Sequence, residues 1–164
     1  MDEKTEILAE TVLSAARSKG LKIATAESCT GGLIAGALTG IPGSSDVVDR
    51  GFVTYSNEAK QQMLEVSAVT LDKFGAVSSA TAKEMAYGAL INSLADITIS
   101  VTGVAGPGGG TAEKPVGTVW FGLTTQGAVP VAECVQFGDV DRNSVRTGSV
   151  HHALYMLHTA IKDL

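Results

Sequence analysis

The chain has 164 residues, of which 45% are hydrophobic and 18% are charged, and its net charge at pH 7 is −5. This composition excludes an intrinsically disordered chain, and an acidic balance without lysine or arginine runs excludes a general nucleic-acid binder. Because the sequence has no apolar run of membrane-spanning length, no signal peptide and only two cysteines without CxxC spacing, we expect a cytoplasmic protein with no membrane partner, disulfide scaffold or zinc knuckle.

The first half of the sequence alternates predicted helices with predicted strands. In chain order, hydrophobic spacing predicts helix 3–19, strand 21–26, helix 31–40, a loop over 41–46, strand 47–56 and helix 58–66. Ser56 or Asn57 is expected to cap the last of these helices. A short turn then leads to a long helix over 77–95, for which Ser78 or Ser79 is the expected cap.

The second half contains the segment that we expect at the centre of the sheet. Strand 95–103 is nearly continuously apolar, as is typical of a strand buried on both faces. A glycine-rich loop over 104–117 is too long for a simple turn and is expected to be functional or mobile. Strands 118–125 and 129–137 and helix 142–162 complete the chain. The element order predicts one three-layer α/β/α domain over 1–164, around a mixed, mostly parallel sheet of about five strands.

The stretch TAESCTGG, residues 25–32, places polar side chains directly after the first predicted strand. Open α/β sheets bind ligands at the carboxyl ends of their strands. Gly31 and Gly32 would bring backbone N–H groups close to an oxyanion or a phosphate, with Ser28 facing the same pocket. A structural alternative stays open, in which Ser28 or Thr30 only caps the following helix.

Tyr55 and Lys60 are the residues best suited to activate a serine. The sequence lacks the Tyr-x3-Lys spacing of short-chain dehydrogenases and the GxGxxG, GxSxG, HExxH and GxxxxGK[ST] motifs. All three histidines lie in the last predicted helix, where His151 and His158 are expected to be surface residues rather than metal ligands. A serine nucleophile would therefore take its base from Lys60 or Tyr55.

Six blocks of the sequence resemble, in order, those of a known family: AESCTGG, GSS, RGFVTYSNEAK, GAVS, VTGVAGPGGG and EKPVGTVWFGL. Over residues 5–160 the chain resembles the CinA C-terminal domain family, whose stand-alone members are nicotinamide-nucleotide amidohydrolases. The resemblance implies hydrolysis of nicotinamide mononucleotide (NMN) to nicotinic acid mononucleotide and ammonia, within pyridine-nucleotide recycling. It implies NMN as the small-molecule partner, no cofactor, no metal and no nucleic acid, and it leaves a homo-oligomer open.

The resemblance also implies roles for individual residues. Ser28 is the expected nucleophile, Lys60 the general base, and Tyr55 a relay or orienting hydroxyl. A lysine can act as a base when burial or a nearby cation lowers its pKa, so an enclosed site is expected. Backbone N–H groups near Gly31–Gly32 or Thr102–Gly103 are candidates to bind the oxyanion. The residues expected to contact the substrate are Gly31, Gly32, Ser44, Thr102, Gly103, Gly106, Gly108, Gly109, Arg142 and Arg146.

Several alternatives stay open from the sequence. Arg142 and Arg146, one helical turn apart, could bind phosphate or only form a solvated helix face. Glu27 could touch the substrate or anchor the strand-to-helix turn, and Cys29 could be the nucleophile in place of Ser28. The alternative to an enzyme is a non-catalytic nucleotide- or partner-binding module, of the kind that the family name links to competence and recombination.

Overall fold

A five-stranded mixed sheet forms the centre of the structure, a computed structural model that describes residues 1–164. The strands are β1 (Ile23–Glu27), β2 (Val48–Val53), β3 (Ile97–Gly103), β4 (Thr118–Thr125) and β5 (Val131–Gln136). Their order in the sheet is β2-β1-β3-β4-β5. β2, β1 and β3 are parallel neighbours, whereas β4 is antiparallel to both β3 and β5. The predicted mixed sheet with a parallel core is confirmed.

Six helices cover the two faces of the sheet. They are α1 (Glu3–Ser18), α2 (Leu33–Thr39), α3 (Asn57–Leu64), α4 (Ala68–Phe74), α5 (Ser79–Ile91) and α6 (Arg142–Asp163). The larger core cluster joins α1, α2 and α6 to one face of the sheet, and the smaller one joins α3, α4 and α5 to the other. The three-layer α/β/α arrangement is therefore also confirmed. None of these helices is both long and apolar enough to cross a lipid bilayer.

Strand β3 shows how the sequence specifies a strand covered on both faces. Its isoleucines and Val101 are fully buried in the larger core cluster, on the side of α6. The alternate residues Thr98 and Ser100 are also fully buried, but their hydroxyls donate to carbonyls of α5 at 2.7 and 2.6 Å. Because each hydroxyl donates to a carbonyl of α5, this polar face of β3 is buried without leaving the hydroxyl donors unpaired.

Two segments differ from the sequence prediction. Residues 68–74 form helix α4 where only a short turn was expected, and a single 3₁₀ turn, Ser44–Asp46, lies in the predicted loop. α4 is too short to be stable by propensity, and Glu84 of α5 holds its start by accepting from the Ser67 N–H and the Thr70 hydroxyl at 2.8 and 2.5 Å. A contact across the fold thus stabilises a helix that local pattern does not reveal.

Candidate active site

The carboxyl ends of the parallel strands form a crevice, and the predicted nucleophile lies in it. Glu27, the last residue of β1, pairs with Val101, so Thr102 and Gly103 of β3 project beyond the end of β1. Ser28 lies next to this overhang, and its N–H donates to the Val101 carbonyl at 2.9 Å. Because β2 neighbours β1 and runs parallel to it, helix α3 begins at the same edge of the sheet.

A cavity of about 250 Å³ opens over Ser28. The side chains and backbone that line it come from the ends of β1 and β3, the first turn of α3, the loop before α5 and the start of α6. These residues are Ser28, Cys29, Tyr55, Asn57, Lys60, Ala76, Val77, Thr102, Gly103, Ala105 and Arg142. The structure therefore brings together all three predicted catalytic residues with three of the predicted substrate contacts, Thr102, Gly103 and Arg142.

Four of the lining residues were not predicted as site residues from the sequence: Asn57, Ala76, Val77 and Ala105. Asn57 is the first residue of α3, and Ala105 lies two residues after the end of β3. Ala76 and Val77 belong to the GAVS block, and the Ala76 carbonyl accepts from the Thr102 hydroxyl at 2.8 Å. For Ala76 and Val77, membership of this block was the one feature of the sequence that could have predicted a place in the site.

Lys60 is buried in this cavity although it carries an ionisable amine. Only 1% of the residue is exposed, and none of its hydrogen-bond partners is a carboxylate. Burial lowers the pKa of Lys60 below its ordinary value. The neutral amine, which a lowered pKa makes easier to reach, is the form that can accept a proton from a serine hydroxyl.

The three contacts of the Lys60 amine also orient it. Nζ lies 3.0 Å from Ser28 Oγ, 2.9 Å from the Thr54 carbonyl oxygen and 3.5 Å from the Tyr55 carbonyl oxygen. A neutral amine has two N–H groups and one lone pair, and a carbonyl oxygen can only accept. When the two hydrogens point to the two carbonyls, the lone pair faces the Ser28 hydroxyl.

Glu27 anchors the turn that carries Ser28. Its side chain is fully buried, and its carboxylate does not line the cavity. It accepts from the hydroxyls of Thr25 and Thr30 at 3.3 and 2.6 Å and from the N–H groups of Gly32, Ile34 and Ala35 at 3.1, 3.0 and 2.8 Å. Of the two roles considered for Glu27, the structure shows the anchoring one.

The same carboxylate takes the place of a side-chain cap for α2, so neither Ser28 nor Thr30 is a cap.

The prediction that the N–H groups of Gly31 and Gly32 face the ligand was wrong. The Gly31 N–H donates to the Ser28 carbonyl at 3.0 Å, and the Gly32 N–H donates to Glu27. The glycines are instead needed because the turn has φ values of 59° and 97° at these two positions.

Ser44 and the later glycines lie outside the cavity. Ser44 precedes β2, whereas Ser28 follows β1, so Ser44 lies at the opposite edge of two parallel strands. Gly106 is buried and its carbonyl accepts from Arg142, but Gly108 and Gly109 are exposed and do not line the cavity. The structure does not bring these four residues into contact with the space above Ser28.

The two predicted phosphate-binding arginines diverge from one another. Arg142 lines the cavity, where its Nη1 donates to the Gly106 carbonyl at 2.8 Å and its Nη2 to the Tyr55 hydroxyl at 3.1 Å. Arg146 does not line the cavity. It donates to the carbonyls of Cys29 and Thr30, in the turn over residues 28–32 that carries Ser28 (the Ser28 turn). Spacing of one helical turn put both residues on one helix face, but the two side chains meet different loops.

Tyr55 lies at the mouth of the cavity. Its side chain is exposed, and its hydroxyl is hydrogen-bonded to Arg142 and to neither Ser28 nor Lys60. This position fits the orienting role considered for Tyr55 better than the proton-relay role, because a relay needs hydrogen-bond reach to the proton that it transfers.

Cys29 lacks the environment of a reactive thiol. Burial raises the pKa of Cys29 to about 11, so the thiol is protonated at neutral pH. No histidine lies in the cavity: His151 contacts Thr5, and His152 contacts Glu133. No group of three or more histidine, cysteine, aspartate or glutamate side chains is placed to hold a metal ion.

Comparison with known proteins assigns the chain to a family. A 158-residue segment is 49% identical to a putative competence-damage inducible protein of Caldicellulosiruptor bescii and covers 96% of this chain but 38% of that relative's length. The chain is 50% identical to the nicotinamide-nucleotide amidohydrolase PncC of Enterobacter agglomerans, over 92% of this chain and 89% of that protein.

A solved structure, that of the competence/damage inducible protein CihA from Agrobacterium tumefaciens, has the same fold with a TM-score of 0.95. It is 50% identical in sequence, and the match covers 99% of this chain and 98% of the other. The family model described as the CinA C-terminal domain matches residues 5–161. The chain therefore belongs to the CinA C-terminal domain family.

Proposed function

We propose that this protein hydrolyses the carboxamide of NMN to a carboxylate and ammonia, with Ser28 as the nucleophile and Lys60 as its base. The observation that carries the proposal is the 3.0 Å contact between Lys60 Nζ and Ser28 Oγ in a buried site without a carboxylate partner for the lysine. The name of the Enterobacter agglomerans relative, a nicotinamide-nucleotide amidohydrolase, supports the choice of substrate.

In the first step, the Ser28 hydroxyl proton moves to the Lys60 lone pair while Oγ forms a bond to the carboxamide carbon. An unactivated serine is a weak nucleophile, and a base within hydrogen-bond reach supplies the activation. The product of this step is a tetrahedral intermediate with a negatively charged oxygen. Because Lys60 becomes positively charged at the same time, the pair of charges forms within the cavity.

The Gly103 N–H is a backbone donor in position to bind this oxyanion. The Val101 carbonyl points toward β1, since it accepts from Ser28, and the Val104 N–H points toward β4, since it donates to Thr118. Backbone groups alternate in direction along a strand, so those of Gly103 point to the same side as those of Val101. β1 has ended at this level, and the Gly103 N–H therefore faces the cavity beside Ser28.

The intermediate then collapses. Its C–N bond breaks, the amine takes a proton from the Lys60 ammonium, and ammonia leaves an ester on Ser28 Oγ. A water molecule attacks this ester after giving a proton to Lys60, and the proton returns to Ser28 Oγ as the acid is released. One water is consumed for each ammonia formed, and Lys60 ends in its neutral form.

Arg142 is the residue that we expect to bind the phosphate of NMN. Its guanidinium lies at the mouth of the cavity between Tyr55 and Gly106, and it has no carboxylate partner among its hydrogen bonds. An arginine guanidinium matches the geometry of phosphate oxygens. The reacting carboxamide would then lie deeper, over Ser28, while the charged end of the substrate stays near solvent.

The test of the proposed function is ammonia release from NMN by the purified protein. Formation of nicotinic acid mononucleotide is followed in the same samples by chromatography, and the Ser28→Ala variant is the matched control. We expect equal amounts of both products from the native protein and none above background from the variant. Absence of both products with native protein would overturn the proposal.

A further inference from the structure

Two side chains of opposite charge hold the turn that carries Ser28. Glu27 accepts from N–H groups of the turn and of the start of α2, as described above. On the other side, Arg146 donates to two carbonyls of the turn: Nε to Cys29 O and Nη2 to Thr30 O, both at 3.1 Å. The Glu27 carboxylate thus accepts from backbone N–H groups of this segment, and the Arg146 guanidinium donates to its backbone carbonyls.

Arg146 makes no other hydrogen bond in the fold. It forms no ion pair, and both of its hydrogen bonds go to the Ser28 turn. A guanidinium presents its donors in a fixed planar fork, so two bonds from one group fix the orientation of two successive carbonyls. Hydrogen bonds from an ionised donor are also stronger than neutral ones.

Arg146 lies on a helix, α6, that is packed against the core. Its neighbours on α6, Val145 and Ser149, are fully buried. Arg146 therefore links the Ser28 turn to a helix that is packed on the sheet, independently of Glu27. The distance between Ser28 Oγ and Lys60 Nζ depends on where this turn is held, because Lys60 is fixed from a different element, α3.

We propose that Arg146 is a positioning residue, which acts with Glu27 to hold the Ser28 hydroxyl within reach of the Lys60 amine. This inference rests on the proposed function, since it assumes that Ser28 is the nucleophile. It replaces the phosphate contact expected for Arg146 from the sequence. A positioning residue affects the chemical step, whereas a phosphate contact affects substrate binding, so turnover and the Michaelis constant separate the two roles.

The first experiment measures kcat and KM for NMN in Arg146→Ala, with Arg17→Ala as the control. Arg17 also bonds a loop carbonyl, that of Gly43, but at the opposite edge of the sheet. A displacement of about 1 Å in a reacting group costs about a hundredfold in rate. We expect kcat of Arg146→Ala to fall about a hundredfold with KM within about twofold of native, and no change in Arg17→Ala.

Rescue by added guanidinium distinguishes positioning from general loss of structure. Millimolar guanidinium should restore about tenfold in kcat to Arg146→Ala, because the free ion can occupy the vacated place and bond the same carbonyls. It should not restore Arg146→Lys, whose side chain fills that place with a single point of donation. If Arg146→Ala does not fold, Arg146→Lys takes its place, and we expect its kcat to fall by less than the hundredfold expected for alanine, with KM within about twofold of native.

Two results would overturn the proposal: a raised KM with native kcat in Arg146→Ala, which assigns the residue to phosphate binding, or native values for both constants. A second measurement separates this failure from failure of the proposed function. The rate at which a fluorophosphonate labels Ser28 requires no NMN, and we expect it to fall about tenfold or more in Arg146→Ala. Equal labelling of both proteins, or no labelling of Ser28 in the native protein, contradicts the proposal even if NMN is not a substrate.

Discussion

Lys60 Nζ lies 3.0 Å from Ser28 Oγ although the two residues are 32 positions apart. β1 and β2 are parallel neighbours, so the residue that follows β1 and the helix that follows β2 meet at one edge of the sheet. The lysine is held there by two backbone carbonyls and is shielded from solvent. The fold therefore supplies both requirements of a serine–lysine pair: proximity, and burial that lowers the pKa of the lysine.

The rate should rise with pH. Burial lowers the pKa of Lys60, and only its neutral amine can take the Ser28 proton, so protonation at low pH removes the active form. We expect kcat/KM for NMN to increase along a one-proton limb with a midpoint below a lysine's ordinary pKa. The phosphate of NMN can itself titrate and change kcat/KM. Fluorophosphonate labelling of Ser28 is therefore the control, because the probe lacks this phosphate, and its rate should follow the same limb. A labelling rate that falls as pH rises would contradict the role of Lys60.

Glu27→Gln should destabilise the protein strongly. Five groups donate to the buried carboxylate, and an amide would place its own N–H₂ donor among them. Each buried donor left unpaired costs about 1–3 kcal/mol, so we expect a loss of about 3 kcal/mol or more and a melting temperature lower by about 10 °C. The matched control is Glu84→Gln, because Glu84 accepts only two hydrogen bonds and is partly exposed. Equal melting temperatures for the two variants would disprove the special role of Glu27.

Tyr55→Phe should have a small effect. The hydroxyl makes one hydrogen bond, to Arg142, and 62% of the residue is exposed. Loss of such a bond corresponds to about twofold to tenfold in kcat/KM. Steady-state kinetics with NMN measure this directly. A fall in kcat of about a hundredfold at unchanged KM would instead place the hydroxyl in proton transfer.

Arg142→Ala should impair the use of NMN but not of its phosphate-free riboside. If the guanidinium binds phosphate, its removal raises KM for NMN by about tenfold or more and leaves the riboside unaffected. The comparison of two substrates in one variant is its own control for folding. An equal loss of kcat/KM for both substrates would show that Arg142 acts on the reacting end or on the cavity itself.

The sequence revealed the architecture because its strands carry their own pattern. β3 is buried on both faces as expected, although one of those faces carries hydroxyls and is not apolar, and the order of elements around it limits the fold to a layered α/β domain. Helix α4 was missed because it has seven residues and depends on Glu84, seventeen positions after Ser67. Propensity over a short window contains no information about such a partner.

Site residues were predictable where residue type and family pattern agreed. They were less predictable where a side chain or an N–H group is hydrogen-bonded within the protein and not to a ligand. Ser28 and Lys60 were assigned from both sources and meet in the structure. Arg146 was assigned from its charge and helical spacing, which cannot tell whether a guanidinium meets a ligand or loop carbonyls. The N–H groups of Gly31 and Gly32 were assigned from the glycines alone, without knowledge that neighbouring acceptors would occupy them.

The central claim is that Ser28, and not its neighbour Cys29, is the nucleophile, and turnover of NMN in paired variants tests it most directly. Ser28→Ala and Lys60→Ala should each lose several orders of magnitude in kcat, and their double variant should be hardly worse than either, because residues that act as a unit fail together. Cys29→Ser should keep most of its activity, since burial raises the pKa of Cys29 to about 11 and leaves the thiol protonated. Thermal melts confirm that each variant is folded. An active Ser28→Ala beside an inactive, folded Cys29→Ser would contradict the account and make the thiol the nucleophile.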